Sequence, residues 1–120
     1  MTTPANVVVE GRGELLIATV TGEMDASNQR WIGGRLRNEL TNRSETLVVD
    51  LSGVAYIDSA GIALLFELAE QLRTHRQQMQ LVIREDSPIA RMAALTGLSS
   101  AVPTRGSIEA VVPDEQCSSG

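Results

Sequence analysis

Aromatic residues and cysteine are the residue types that this chain has least of. Trp31, Tyr56 and Phe66 are the three aromatic residues among 120, so the core has to be built from aliphatic side chains. Cys117 is the single cysteine, which excludes an intramolecular disulfide and a thiol cluster for a metal ion. We expect Cys117 to be solvent-exposed in the C-terminal tail, with an intermolecular disulfide under oxidation as the alternative.

Positive charge and long apolar runs are also scarce. The chain has 10 basic and 15 acidic residues and a formal net charge of -5, so it lacks the clustered Lys and Arg that nucleic acids and anionic lipids require. Its apolar runs are far shorter than the roughly 20 residues of a membrane-spanning helix. The segment Met1–Pro4 lacks the basic and apolar regions of a signal peptide. These features predict a cytoplasmic protein that binds neither nucleic acid nor membrane.

The order of hydrophobic patterns predicts an α/β fold in a single domain over 1–120, with a core over about 6–112 and a disordered polar tail over 113–120. Two β-rich runs flank Gly11-Arg12-Gly13 and predict an N-terminal antiparallel hairpin. The alternating helices and strands that follow predict a mixed β-sheet with packed helices. The expected elements after the hairpin are helices over 27–40, 59–77, 88–97 and 107–112, strands over 46–51, 81–83 and 101–103, and a loop over 52–58.

The predicted helix over 59–77 has the clearest apolar stripe. Ile62 and Leu65 lie at helical spacing with later apolar residues, so we expect both in the core. His75 is the only imidazole and lies near the end of this helix, where we interpret it as a solvated residue. Most nucleophilic and acid–base constellations therefore lack a necessary side chain. In the preceding helix, Gly33 and Gly34 are expected to weaken the structure.

Two predicted strand-to-helix turns carry acidic and hydroxyl side chains. The first is Gly22-Glu23-Met24-Asp25, and the second is Tyr56-Ile57-Asp58-Ser59-Ala60-Gly61. Such turns are where ligands and partners usually meet an α/β sheet. Spacing alone is compatible with helix capping, in which an aspartate or a serine near each turn accepts backbone hydrogen bonds that contribute roughly 1 kcal/mol each.

Five motifs along the chain form a recognisable pattern: Gly22-Glu23-Met24-Asp25, Leu47-Val48-Val49-Asp50-Leu51-Ser52-Gly53-Val54, Ile57-Asp58-Ser59-Ala60-Gly61, Thr96-Gly97-Leu98 and Ile108-Glu109-Ala110. With these motifs the sequence closely resembles STAS domains, and among them the anti-sigma factor antagonists. The resemblance spans nearly the whole chain, and its most specific part lies between 47 and 61.

The resemblance implies a STAS fold and a regulatory protein that has no catalytic activity. By position, Ser59 is the residue that an anti-sigma factor with serine kinase activity would phosphorylate. The unphosphorylated form would bind that anti-sigma factor and release a sigma factor, and a protein serine phosphatase would reset the switch. No cofactor and no metal are implied. The residues expected to contact the partner are Met24, Asp25, Asn28, Asp58, Ser59, Ala60 and Gly61.

The sequence departs from the family pattern at two positions. Met24 stands where the family often has Leu, which is a conservative change. Ala60 stands where a second Ser or Thr is common. Because Ala60 offers no competing hydroxyl, phosphorylation in this turn would be confined to Ser59.

Two other functions remain open at this point. Asp25, Asp50 and Asp58 have the carboxylate oxygens that Mg²⁺ prefers and would form a metal site if they met at the strand ends. The chain could instead be a STAS module that never exchanges phosphate. Such a module would serve as a scaffold, a nucleotide-sensing subunit or a partner of a membrane transporter.

Overall fold

Five strands form one mixed sheet in the computed structural model, which describes residues 5–40 and 46–111. The strands follow one another across the sheet in chain order, and β1 is antiparallel to β2 while all other neighbours are parallel. Their bounds are β1 (Asn6–Arg12), β2 (Leu15–Met24), β3 (Thr46–Ile57), β4 (Gln78–Val82) and β5 (Thr104–Arg105). The predicted α/β fold with an N-terminal hairpin is confirmed. The tail over 113–120 and Cys117 lie outside the described residues, and the single domain over 1–120 stays a prediction.

Helices cover one face of the sheet. They are α1 (Gln29–Glu39), α2 (Ser59–Thr74), α3 (Pro88–Thr96) and α4 (Leu98–Ala101), followed by a 3₁₀ turn at Ile108–Ala110. The main core lies between this layer and the strands, and it includes Ile62 and Leu65 as predicted. A small second cluster on the other face joins Ile17, Val48 and Val82 to the 3₁₀ turn. None of the described helices is both long and apolar enough to cross a membrane.

The predicted loop over 52–58 is wrong, because β3 continues as a strand to Ile57. Its pairing with β2 shifts register twice, between Thr19 and Thr21 and between Gly22 and Glu23. Each bulge interrupts the alternation of buried and exposed residues, so the hydrophobic pattern of the sequence no longer indicates a strand. Gly53 allows the close approach that this pairing needs, since a Cβ there would lie 2.8 Å from Thr21 Cγ2.

The C-terminal elements also differ from the prediction. The last strand, expected near 101–103, lies at Thr104–Arg105 instead, because α4 extends to Ala101. Gly97 adopts a left-handed conformation with φ of 84°, which ends α3 and starts α4 immediately afterwards. The helix expected over 107–112 is a 3₁₀ turn of three residues.

Gly33 positions α1 against α2. A Cβ at Gly33 would lie 2.7 Å from Leu64 Cδ1, so the missing side chain permits close helix packing at this point. The Arg37 guanidinium donates to the Gln71 side-chain oxygen at 2.9 Å and adds a polar contact further along the two helices. Consequently α1 and α2 lie side by side, and both begin at the edge where the parallel strands end.

Candidate functional site

The two predicted turns meet at the carboxyl edge of the sheet. Met24 and Ile57 are paired at the ends of β2 and β3, which are parallel neighbours. Just beyond this pair, the Asp58 backbone N–H donates to the Met24 carbonyl oxygen at 3.1 Å. The edge therefore brings together the two turn motifs, Gly22-Glu23-Met24-Asp25 and Ile57-Asp58-Ser59-Ala60-Gly61, on which part of the resemblance to anti-sigma factor antagonists rests.

Asp58 is the residue that holds the site together. Its Oδ1 accepts hydrogen bonds from the backbone N–H groups of Ala60 (2.9 Å) and Gly61 (3.1 Å), which makes it the N-cap of α2. Its Oδ2 accepts from the Ala26 backbone N–H at 3.2 Å. One carboxylate thus caps α2 and also binds the backbone of the turn that precedes α1. Sequence reasoning did not identify Ala26, because nothing in an alanine side chain indicates a backbone contact 32 positions away.

Ser59 is exposed at the first helical position of α2. Spacing left the cap role open between the aspartate and the serine, and the geometry assigns it to Asp58. Among the described residues, no hydrogen bond or ion pair engages the Ser59 hydroxyl. The hydroxyl therefore projects from the edge of the sheet without a structural role of its own.

Asp25 and Asn28 order the first turn by bonding to its backbone. Asp25 Oδ1 accepts from the Ser27 backbone N–H at 3.0 Å and from the Ser27 hydroxyl at 2.5 Å. The Asn28 side chain accepts from the Asp25 N–H at 3.0 Å and donates to the Glu23 carbonyl at 2.7 Å. Both side chains are half-buried. These bonds also delay the start of α1 to Gln29, two residues after the predicted start.

Met24 and Gly61 lie beneath the surface that Ser59 occupies. Met24 was expected among the partner contacts, but its side chain is 0% exposed and belongs to the core. Gly61 is buried as well, and a Cβ there would lie 2.7 Å from Ile57 Cγ1 and 3.1 Å from the Met24 carbonyl oxygen. Of the seven residues predicted to contact a partner, these two can act only by positioning the turn, whereas Asp25, Asn28, Asp58, Ser59 and Ala60 reach the surface.

The proposed Mg²⁺ site is not formed. Within the ranges 5–40 and 46–111, no group of three or more His, Cys, Asp or Glu residues is arranged to hold a metal ion. Asp50 lies within β3 rather than at its end, and its Oδ1 accepts from the Ser52 backbone N–H (3.0 Å) and hydroxyl (2.6 Å). Asp25 and Asp58 are each occupied with backbone amides of their turns.

A groove of about 460 Å³ lies away from the predicted site residues. It runs between the second half of α2, the start of β4 and the segment that follows α4. Phe66, Arg73, Met79 and Val102 are among the residues that line it. This groove lies towards the edge where β4 begins, whereas Ser59 lies at the edge where β3 ends.

Comparison with known proteins identifies relatives along most of the chain. The family model described as STAS domain matches residues 6–111. A Bordetella bronchiseptica protein named "Putative anti-sigma factor antagonist BtrV" is 31% identical over 97 residues, which cover 80% of this chain and 82% of that protein.

Solved structures show the same fold. The crystal structure of an anti-sigma factor antagonist from Mycobacterium paratuberculosis has a TM-score of 0.78 at 24% identity and covers 88% of this chain and 89% of that one. The anti-sigma factor antagonist SpoIIAA in its unphosphorylated form has a TM-score of 0.60 at 16% identity, with 94% of both chains covered. SpoIIAA of Bacillus in its phosphorylated form has a TM-score of 0.57 at 16% identity, with 95% of this chain and 97% of that one covered.

Proposed function

The chain belongs to the STAS domain family, in which it is homologous to anti-sigma factor antagonists, and from this we propose a phosphorylation-controlled antagonist. In its unphosphorylated form it binds an anti-sigma factor that is also a serine kinase, and a sigma factor is released. The kinase transfers the γ-phosphoryl group of ATP to Ser59 Oγ: the new O–P bond forms, ADP leaves, and the hydroxyl proton passes to a base of the kinase. A serine phosphatase restores the hydroxyl. The chain itself supplies only the acceptor.

Asp58 and Ser59 have separate roles, and this observation supports the proposal most directly. Because Asp58 caps α2, the Ser59 hydroxyl is exposed and makes no hydrogen bond within the described residues. A kinase can reach this oxygen without unfolding the helix. Ala60, the next residue, has no hydroxyl, so the turn offers a single acceptor.

The helix dipole offsets part of the local repulsion that a phosphate on Ser59 meets from Asp58. A phosphate adds about -1.5 to -2 charges at the start of α2, where the helix dipole favours an anion by roughly 0.3–2 kcal/mol. The Asp58 carboxylate opposes it. At about 6 Å and an effective dielectric near 40, their repulsion is on the order of 2–3 kcal/mol. Asp58 is held by three backbone N–H groups, so we expect little rearrangement of the fold.

The effect of the phosphate is therefore expected at the surface of the partner. A dianion on Ser59 has to be desolvated beside fixed groups of the bound kinase, and like charges brought together at an interface cost several kcal/mol. A penalty of about 3–4 kcal/mol weakens binding by two to three orders of magnitude. The surface residues Asp25, Asn28, Asp58 and Ala60 complete the expected contact area around Ser59.

Phosphorylation assays test this function. Each purified anti-sigma factor of the source organism that has serine kinase activity is incubated with the chain and ATP, and intact mass and peptide mapping follow. We expect one added phosphate, located on Ser59, and its removal by a serine phosphatase. Ser59→Ala is the matched control and should stay unmodified. An unmodified wild-type chain with all of these kinases would refute the proposal and favour a scaffold that never exchanges phosphate.

A further inference from the structure

Two of the three aromatic residues of this chain are left half-exposed. Trp31 is 52% exposed and Tyr56 is 50% exposed, although aliphatic side chains fill the core. Each therefore leaves on the order of 100 Å² of ring surface in solvent. Aromatic side chains are enriched at the centres of protein interfaces. An exposed aromatic pair in a chain with so few aromatics needs an explanation other than core packing.

Trp31 lies at the start of α1, in the helical layer. It is the third residue of the helix, while Ile32 packs in the core and Gly33 faces α2. The buried residues of α1 are Ile32, Gly33 and Leu36, whereas Trp31 is exposed. Long side chains on a helix lean towards its N-terminus. The indole therefore leans towards the edge of the sheet at which the Asp25–Asn28 turn lies.

Tyr56 lies on the opposite face of the sheet at the same edge. It is the penultimate residue of β3 and pairs with Glu23 of β2. Since Ile57 points into the core beneath the helices, the alternation of side chains along the strand directs Tyr56 to the helix-free face. Ser59 follows two residues after Ile57. The two rings therefore lie on either side of the Ser59 turn, one in the helical layer and one below the sheet.

We propose that Trp31 and Tyr56 are the apolar anchors of the surface with which the chain binds the protein that phosphorylates Ser59. This inference rests on the proposed function. A specific interface buries about 800 Å² on each partner. Ser59 and Ala60 are too small to supply that area, so a kinase that covers them must also contact their neighbours. Trp31 and Tyr56 are the large apolar side chains that the described structure exposes at this edge.

Leu95 provides the matched control for this proposal. It is 78% exposed, so it is a large apolar side chain on the surface like the two aromatics. It lies in the last turn of α3, and α3 begins at the edge where the strands end, so Leu95 lies towards the opposite edge of the sheet. An interface around Ser59 should not include it.

Affinity measurements on Trp31→Ala, Tyr56→Ala and Leu95→Ala test the anchors. The probe is the purified anti-sigma kinase that modifies Ser59, used without ATP in calorimetry. We expect each aromatic substitution to weaken binding by on the order of 10-fold to 30-fold and Leu95→Ala to change it by less than about 2-fold. Tyr56→Phe keeps the ring and should keep most of the affinity. Circular dichroism of each variant checks that the fold is retained.

Trp31 also allows a direct measurement on the unsubstituted chain, because it is the single tryptophan. The chain is labelled with 5-fluorotryptophan, and its ¹⁹F resonance is followed as unlabelled kinase is added. If the kinase buries Trp31, the ¹⁹F resonance should shift and should no longer differ between H2O and D2O. The Leu95→Ala variant, labelled in the same way, should show the same change in its ¹⁹F resonance, because Leu95 lies outside the expected interface.

The outcomes separate this inference from the proposed function. If the kinase modifies Ser59 but the Trp31 resonance keeps its solvent exposure, and the aromatic variants bind as tightly as Leu95→Ala, the anchors are refuted and the function stands. If no anti-sigma kinase binds the chain or modifies Ser59, the function fails, and the inference that depends on it fails too.

Discussion

The Asp58 carboxylate accepts a hydrogen bond from the backbone N–H of Ala26 at 3.2 Å, across 32 positions of the chain. The same carboxylate caps α2 through Ala60 and Gly61. The position of the Ser59 turn therefore depends on the preceding strand-to-helix turn as well as on its own helix. A substitution in either turn should therefore alter the position of Ser59.

Substitutions of Asp58 should separate its two roles. Asp58→Asn keeps an oxygen that can cap α2 but replaces the oxygen that accepts from Ala26, so we expect a loss of roughly 0.5–1.5 kcal/mol in the free energy of unfolding. Asp58→Ala loses the cap as well and should cost about 1 kcal/mol more. Urea unfolding gives both values. Equal stability of the two variants would show that the cap contributes nothing measurable, and wild-type stability of Asp58→Asn would show the same for the bond to Ala26.

The cap and the central core were accessible from sequence because both depend on local spacing. Adjacent Asp and Ser residues directly before an apolar helical stripe predict an N-cap at this turn, although only the geometry assigns it to Asp58, and the periodicity of Ile62 and Leu65 predicts burial. The bond to Ala26 was not accessible, since it forms only when β2 and β3 align. The end of β3 was missed for a similar reason: two bulges against β2 disrupt its side-chain alternation.

Substitutions of Ser59 should change partner binding and leave the fold intact. Ser59→Ala removes an exposed hydroxyl that makes no hydrogen bond within the described residues, so we expect wild-type affinity for the kinase and a stability change within about 0.5 kcal/mol. Ser59→Glu places a charge on this surface and should weaken binding by roughly 10-fold or more. Calorimetry with the kinase measures both affinities. Equal affinity for the two variants would contradict the surface-charge mechanism.

Met24 should affect stability and not the specificity of docking, because its side chain is fully buried. Met24→Leu conserves volume and should change the free energy of unfolding by less than about 1.5 kcal/mol, with kinase affinity retained. Met24→Ala leaves a cavity below the turn and should cost about 2–5 kcal/mol. Thermal unfolding and calorimetry are the measurements. A large loss of affinity in a stable Met24→Leu variant would instead indicate that the thioether contacts the partner.

Gly61 should be intolerant of even a methyl group, because it lies where α2 begins against the end of β2. A Cβ at Gly61 would come within 2.7 Å of Ile57 Cγ1 and 3.1 Å of both Met24 Cβ and the Met24 carbonyl oxygen. The backbone of Met24 also accepts from Asp58, so it cannot retreat without weakening the contact between the turns. We expect Gly61→Ala to lower the free energy of unfolding by about 1–3 kcal/mol. Because the turn would have to shift, phosphorylation of Ser59 should also be slower than in the wild type.

Gly34→Ala is the control for this effect, since Gly34 is also a helical glycine but nothing lies within 4 Å of the position its Cβ would take. There alanine should stabilise α1 by roughly 0.5–1 kcal/mol, because it lowers the conformational entropy of the unfolded chain. Urea unfolding of the two variants should therefore give changes of opposite sign. If Gly61→Ala were as stable as Gly34→Ala and were phosphorylated at the wild-type rate, close packing of Met24, Ile57 and Gly61 could not be what positions Ser59.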